Sequence, residues 1–152
     1  DFLYFVLNHA DKLLYKLDSL KRTIHGVDYL PPALDYADLL EIGREDWQRA
    51  MELLLYSSDY THIVLDLSET CQGFYDMLEN SDHVYILTDN SNVYAHAMLS
   101  HFKKLLLAKE YEKILGHMTE FELPQGWEAQ CGEIELLASS PVGARMKGVL
   151  GR

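Results

Sequence analysis

The sequence predicts an α/β fold: a three-layer αβα domain on a mostly parallel sheet. Three observations carry this. The stretch at 61–69, THIVLDLSE, sets Ile63, Val64, Leu65 and Leu67 around one acid, Asp66. An unbroken run of β-branched and large apolar residues reads as a strand buried on both faces, which favours parallel pairing. A second run of the same kind, HVYILT at 83–88, follows it. Apolar stripes at helical spacing separate these strands, and strands alternating with helices point to a parallel sheet with right-handed crossovers.

Each element has its own reason. Residues 1–21 carry Phe2, Phe5, Val6, His9, Leu13, Leu17 and Leu20 near helical spacing. They read either as one kinked helix or as two, the second running from about Lys12. Residues 26–30 read as a short strand that must stop at Pro31-Pro32, because proline has no N–H and holds Leu30 extended. Residues 33–40 read as a loop or short turn. Gly43 or Glu45 opens a helix to about Ser57, with Trp47, Ala50, Met51, Leu54 and Leu55 inward. After the strand at 61–67, residues 72–79 form a short helix on Phe74, Met77 and Leu78. Asn90, Ser91 or Asn92 caps a helix over 94–108, whose stripe is Ala95, Ala97, Met98, His101, Phe102, Leu105 and Leu106. A strand within 118–123 stops at Pro124, and residues 131–149 read as helix, with Pro141 placed to begin a separate closing helix.

The bulk composition narrows the function. The chain has 152 residues, 48% of them hydrophobic, which suits one domain with a real core. Thirteen basic against 24 acidic residues give a formal charge of −11. That excess argues against direct nucleic-acid binding, which needs a basic footprint. Two cysteines, Cys71 and Cys131, are too few for a disulfide framework. Reducing surroundings, and so a cytoplasmic location, are the simpler expectation. No apolar run reaches transmembrane length, and Asp1, Asp11 and Lys12 interrupt any signal-peptide pattern. The sequence begins with Asp, so residues 1–152 are read as a single α/β domain or a domain fragment.

Among single residues Asp66 stands first. A hydrophobic strand ending in an acid is a common way to set a carboxylate beside a hydrated magnesium ion at a sheet's carboxyl edge. The plainer alternative is that Asp66 caps the next turn or bonds loop amides. Glu69 could join the same edge, though an ordinary solvent-facing acid or the start of the next helix is the preferred reading. Ser68 and Thr70 offer hydroxyls to phosphate or to a helix start. Cys71 has no partner at a catalytic spacing. The seven histidines form neither HxH nor HExxH, so zinc is not expected. Asp82 and Asp89 flank the second strand, with the stretch at 89–92 read chiefly as a helix cap. No GxxxxGK[ST], GxGxxG or GxSxG stretch is present. The pairs Lys103-Lys104 and Arg145 with Lys147 read as solvated helix faces.

A likeness then enters on these residues. Gly26 to Pro32, then Asp38-Leu39-Leu40, then 45–60, THIVLDLSE and the Asn80-Ser81-Asp82 stretch leading into 83–87 resemble the later part of the deviant-Walker P-loop ATPases. These are the ParA/MinD-like proteins, most closely the CpaE-like pilus-localisation branch. Leu123-Pro124 and the stretch at 137–143 resemble that family's last strand and helices. The likeness spans most of the chain on short motifs. Two departures stand: the turn at Ser68 and Glu69 lacks the proline or glycine common there, and 116–119 lacks the asparagine that reads adenine in many relatives.

The resemblance implies a partial P-loop NTPase fold: the carboxyl-terminal part of a larger ATPase, whose phosphate loop lies outside this chain. Asp66 then takes the Walker B role toward the metal, with Ser68 and Glu69 in the switch-like turn beside the nucleotide. The chain alone would hold no cofactor and be inactive, while its parent would bind Mg-ATP and serve intracellular positioning or regulation. Protein partners or a homodimer are expected, because a sheet lacking its central strand exposes apolar edges. A terminal amphipathic helix could attach to membrane, though a packed closing helix is the preferred use of 134–152. The alternative from another class is a degenerate α/β protein-interaction module without nucleotide chemistry.

Overall fold

The structure is a computed structural model and describes residues 2–24, 26–33, 35–89, 92–123 and 139–150. The chain divides into two compact units, Asp1–Asn80 and Ser81–Arg152.

The first unit opens with two helices, α1 (Phe2–Asn8) and α2 (Leu13–Leu20), separated by a single 3₁₀ turn at Ala10–Lys12. The two-helix reading of this stretch therefore holds. Val6 and Leu13 are buried together with Ile42 and Ala50, and Phe2, Phe5, Leu20, Trp47 and Met51 pack around them. A two-stranded hairpin follows, β1 (Arg22–Ile24) and β2 (Val27–Tyr29), antiparallel with Ile24 opposite Val27. Gly26 in its turn has φ +81°, a conformation open to glycine at little cost. β2 stops before the proline pair as its chemistry requires, but β1 was not anticipated.

Three further helices follow in this unit. The stretch read as loop contains α3 (Tyr36–Glu41), begun by Asp35, whose side chain accepts from the Ala37 N–H at 2.9 Å. Helix α4 (Arg44–Ser57) starts after Gly43, with Glu45 and Asp46 favourably placed in its first turn. Ala50 and Leu54 are buried on its inner face, while Leu55 points outward. Helix α5 (Phe74–Asn80) buries Met77 and Leu78.

Between α4 and α5 the expected organising strand is not formed. Residues 62–67 carry no strand or helix, and the two sheets among the described residues are β1–β2 and β3–β4. The composition is that of a strand, but a strand also needs a neighbour, and none pairs with it among the described residues.

The second unit is a parallel pair with a helical connection. Strand β3 (Val84–Thr88) pairs with β4 (Met118–Glu122), from Val84 opposite Met118 to Thr88 opposite Glu122. Helices α6 (Val93–Ala108) and α7 (Glu112–His117) lie between them in the chain. The Leu123 N–H donates to Thr88 O at 2.8 Å and continues the ladder. Asn92 caps α6, its side chain accepting from the Tyr94 N–H at 2.9 Å. Lys103 of α6 pairs with Glu120 of β4. Val84, Leu106, Ile114 and Phe121 are buried. β3 alternates rather than lying buried on both faces: Tyr85 and Leu87 are exposed, which corrects the reading of this strand. A closing helix, α8 (Pro141–Leu150), begins at the expected proline, with Ser140 Oγ accepting from the Gly143 N–H at 3.1 Å. The helix expected over 131–138 lies outside the described residues, as do Asn90, Ser91 and the loop at 124–130.

Candidate functional site

The turn holding the sequence-predicted site follows the unpaired segment. Asp66, Ser68, Glu69 and Thr70 are all exposed, and Ile63, Leu65 and Leu67 are half-buried. The Ser68 hydroxyl lies 2.8 Å from that of Thr70, and Ser68 O accepts from the Cys71 N–H at 3.2 Å. One hydroxyl therefore donates to the other, and the backbone closes a tight turn. Cys71 is half-buried, and burial pushes its thiol above the ordinary range, so it is a poor nucleophile.

This turn leads into a well-fastened start of α5. Gln72 Nε2 donates to Leu40 O at 2.8 Å, and Arg44 pairs with Asp76. Gly73 has φ +78°, and a Cβ there would lie 3.4 Å from Arg44 Cγ.

Among the described residues, no group of three or more His, Cys, Asp or Glu side chains is gathered as a metal site. Asp66 and Glu69 alone do not make a magnesium site, which needs about six oxygens in octahedral array. A bound nucleotide and water would have to supply most of them.

The strongest cluster of polar side chains lies elsewhere in the first unit, and sequence reasoning missed it. It lines an open cleft of about 290 Å³ between the end of α2, β2 and the residues after α4, with Leu14, Leu17, Ser58 and Asp59 in its walls. Lys21, the residue ending α2, places Nζ 2.7 Å from Asp18 Oδ1, 2.8 Å from Asp28 Oδ2 and 3.2 Å from the Tyr60 hydroxyl. The Tyr60 hydroxyl donates to Asp28 Oδ2 at 2.7 Å, and Thr23 donates to Asp28 Oδ1. The Lys21 ammonium also lies 5.7 Å from the centroid of the Tyr60 ring.

The charges in this cluster are locked. Asp18, then Asp28 and Tyr60, hold the Lys21 ammonium well above the ordinary lysine range. Lys21, with Thr23 and Tyr60, holds the Asp28 carboxyl well below the usual carboxylate range. The hydrogen bond to Asp28 raises the Tyr60 phenol. None of the three exchanges a proton near neutral pH, so none is poised as a general base or nucleophile. An ammonium has three donors, and here each has an acceptor, leaving none for an added anion. The arrangement therefore works as a clasp between α2, the hairpin and the chain after α4. The only hint in the sequence was Lys21 and Asp28 on either side of a Gly26 turn.

Among the described residues no helix is long and apolar enough to cross a membrane. No protein-family model, curated protein or solved structure matches this chain.

Proposed function

We propose that the chain is a protein-interaction module, and that its second unit offers the amino-terminal half of α6 to an apolar groove on a partner protein. One observation carries this. In the 16 residues of α6 only Leu106 is fully buried, while Val93 is 80%, Tyr94 82% and Met98 64% exposed. Large apolar side chains clustered in the open mark interaction sites. Tyr94 and Met98 stand one turn apart, with Val93 and Ala97 beside them, which is the anchor spacing of a helix laid into a groove. The helix sequence has no acid, and Lys104 is exposed, so an acidic rim on the partner fits best.

The test is a photo-crosslinker at position 98, followed by titration of the captured partner in pure form. Wild-type chain binds it, and the double substitution Tyr94→Ser with Met98→Ser weakens binding at least tenfold while leaving the circular dichroism unchanged. Equal affinity of the two chains overturns the reading.

The ATPase reading remains as a second proposal, favoured by the parallel β3–β4 pair with helices in its connection. That connection is the unit from which three-layer αβα sheets are assembled. On this reading the chain is the non-phosphate-loop portion of a ParA/MinD-like ATPase. Asp66, with Ser68 and Glu69, then belongs to the nucleotide crevice of the longer protein. Calorimetric titration of this chain with Mg-ATP should show no heat of binding. A longer form carrying a lysine-bearing phosphate loop should bind, and lose that binding with Asp66→Asn. Failure of the longer form to bind removes the reading.

A further inference from the structure

Residues 61–67 behave as a strand without a neighbour. Thr61, His62, Val64 and Asp66 are exposed while Ile63, Leu65 and Leu67 are half-buried, so burial alternates with the period of extended backbone. Val64 is 91% exposed. Among the described residues no backbone hydrogen bond involves 61–67, although those on either side are used. A β-branched, apolar segment with open N–H and C=O groups is a template for pairing with another chain.

We propose that this segment pairs with the same segment of a second copy, antiparallel about a two-fold axis at Val64. The charges select this register. Parallel pairing in register would set Asp66 against Asp66, which is unfavourable. An axis at Leu65 would leave Asp66 opposite Val64 and His62 opposite Ser68. An axis at Val64 sets each Asp66 across from His62 of the second copy, with the two Val64 side chains meeting between them. On the other face Ile63 lies across from Leu65. The Thr61 hydroxyl is 3.0 Å from His62 Nδ1. With the hydroxyl donating, Nε2 carries the proton and is the donor offered to the carboxylate. Farther along, Glu69 would come opposite Asp59, and like charges end the ladder. The contact is isologous, so it closes as a dimer instead of growing into a fibre. This goes beyond the helix-face reading and does not rest on it.

The experiment uses the full chain with Cys71→Ser and Cys131→Ser. Directly opposed residues of an antiparallel pair have Cα atoms about 4.5–5.5 Å apart, within the span of a disulfide. Mild oxidation should therefore join Val64→Cys chains to one another. It should leave His62→Cys or Asp66→Cys chains alone as monomers, yet join these two when mixed. Sedimentation of the wild-type chain should show a concentration-dependent dimer. Asp66→Lys should weaken it at least tenfold, and His62→Asp combined with Asp66→His should restore it. His62, Val64 and Asp66 are exposed, and unchanged circular dichroism confirms folding of each variant. A wild-type chain that stays monomeric at every concentration, or crosslinking that ignores the register, overturns the proposal.

Discussion

Lys21 Nζ lies 2.8 Å from Asp28 Oδ2, and this pair ties the end of α2 to β2. Its effect on stability has a definite sign at each end of the pH scale. The folded state depresses the Asp28 carboxyl, so the stabilisation is present above the unfolded value of about 3.9 and is lost as pH falls below it. The folded state raises the Lys21 ammonium, so its share is whole below about 10.4 and is lost as pH rises through and beyond that value. Asp28→Asn should lower the Tm at neutral pH. Melting curves of wild type and variant should draw together as pH falls below about 3.9. A constant gap between them would mean that the carboxylate's charge does not matter. Added salt should narrow the gap at neutral pH, because the pair is open to solvent on one side.

Tyr60 supplies a separate handle on the same cluster. Its phenol is raised by the bond to Asp28, so it ionises later than an ordinary tyrosine. The chain has ten tyrosines. In an alkaline absorbance titration of the folded protein, Tyr60→Phe should remove a late-ionising component. Loss of an early component instead would show that the phenol does not donate to Asp28.

How far these features were readable from the sequence depends on how local their causes are. Pro31-Pro32 ends β2, Gly43 starts α4, Asn92 caps α6 and Pro141 starts α8; each effect lies within a few residues of its cause. The turn at Gly26 was equally local, yet β1 was overlooked because three residues carry little pattern. Helix α3 was hidden for a similar reason: it is six residues long and buries none of them, so no apolar stripe announces it.

The segment at 61–67 failed differently. Its apolar run correctly reports a preference for extended backbone, but pairing depends on residues far away in the chain or on another chain. The polar clasp was hidden for the same reason, since Lys21 and Tyr60 are 39 positions apart and meet only after α4 has folded back. Asp66, Ser68 and Glu69 do stand together on one exposed turn, as their adjacency requires. What the sequence could not supply was the surrounding set of groups that decides what such a turn does.

Two glycines should respond to alanine with opposite signs. Gly73 has φ +78°, where an L side chain is strained, and its Cβ would lie in contact with Arg44. Gly73→Ala should destabilise the protein by about 1–2 kcal/mol in urea unfolding. Gly116 lies in α7 with nothing within 4 Å of a built Cβ. Gly116→Ala should stabilise by about 0.5–1 kcal/mol, because alanine loses less backbone freedom on folding. The same sign for both would show that the turn before α5 does not require the left-handed backbone.

Trp47 offers a test of the core itself. Its ring packs on the cluster of Val6, Leu13, Ile42 and Ala50, and its buried Nε1 finds no hydrogen-bond partner among the described residues. A buried donor without an acceptor costs about 1–3 kcal/mol. Trp47→Phe removes that donor and keeps most of the apolar surface, so the two changes oppose each other. The variant should lie within about 1 kcal/mol of wild type, or above it. Trp47→Ala discards the packing as well and should cost about 3 kcal/mol. Urea unfolding followed by circular dichroism separates the two. If Trp47→Phe costs as much as Trp47→Ala, the indole N–H contributes to stability and must have an acceptor in solution.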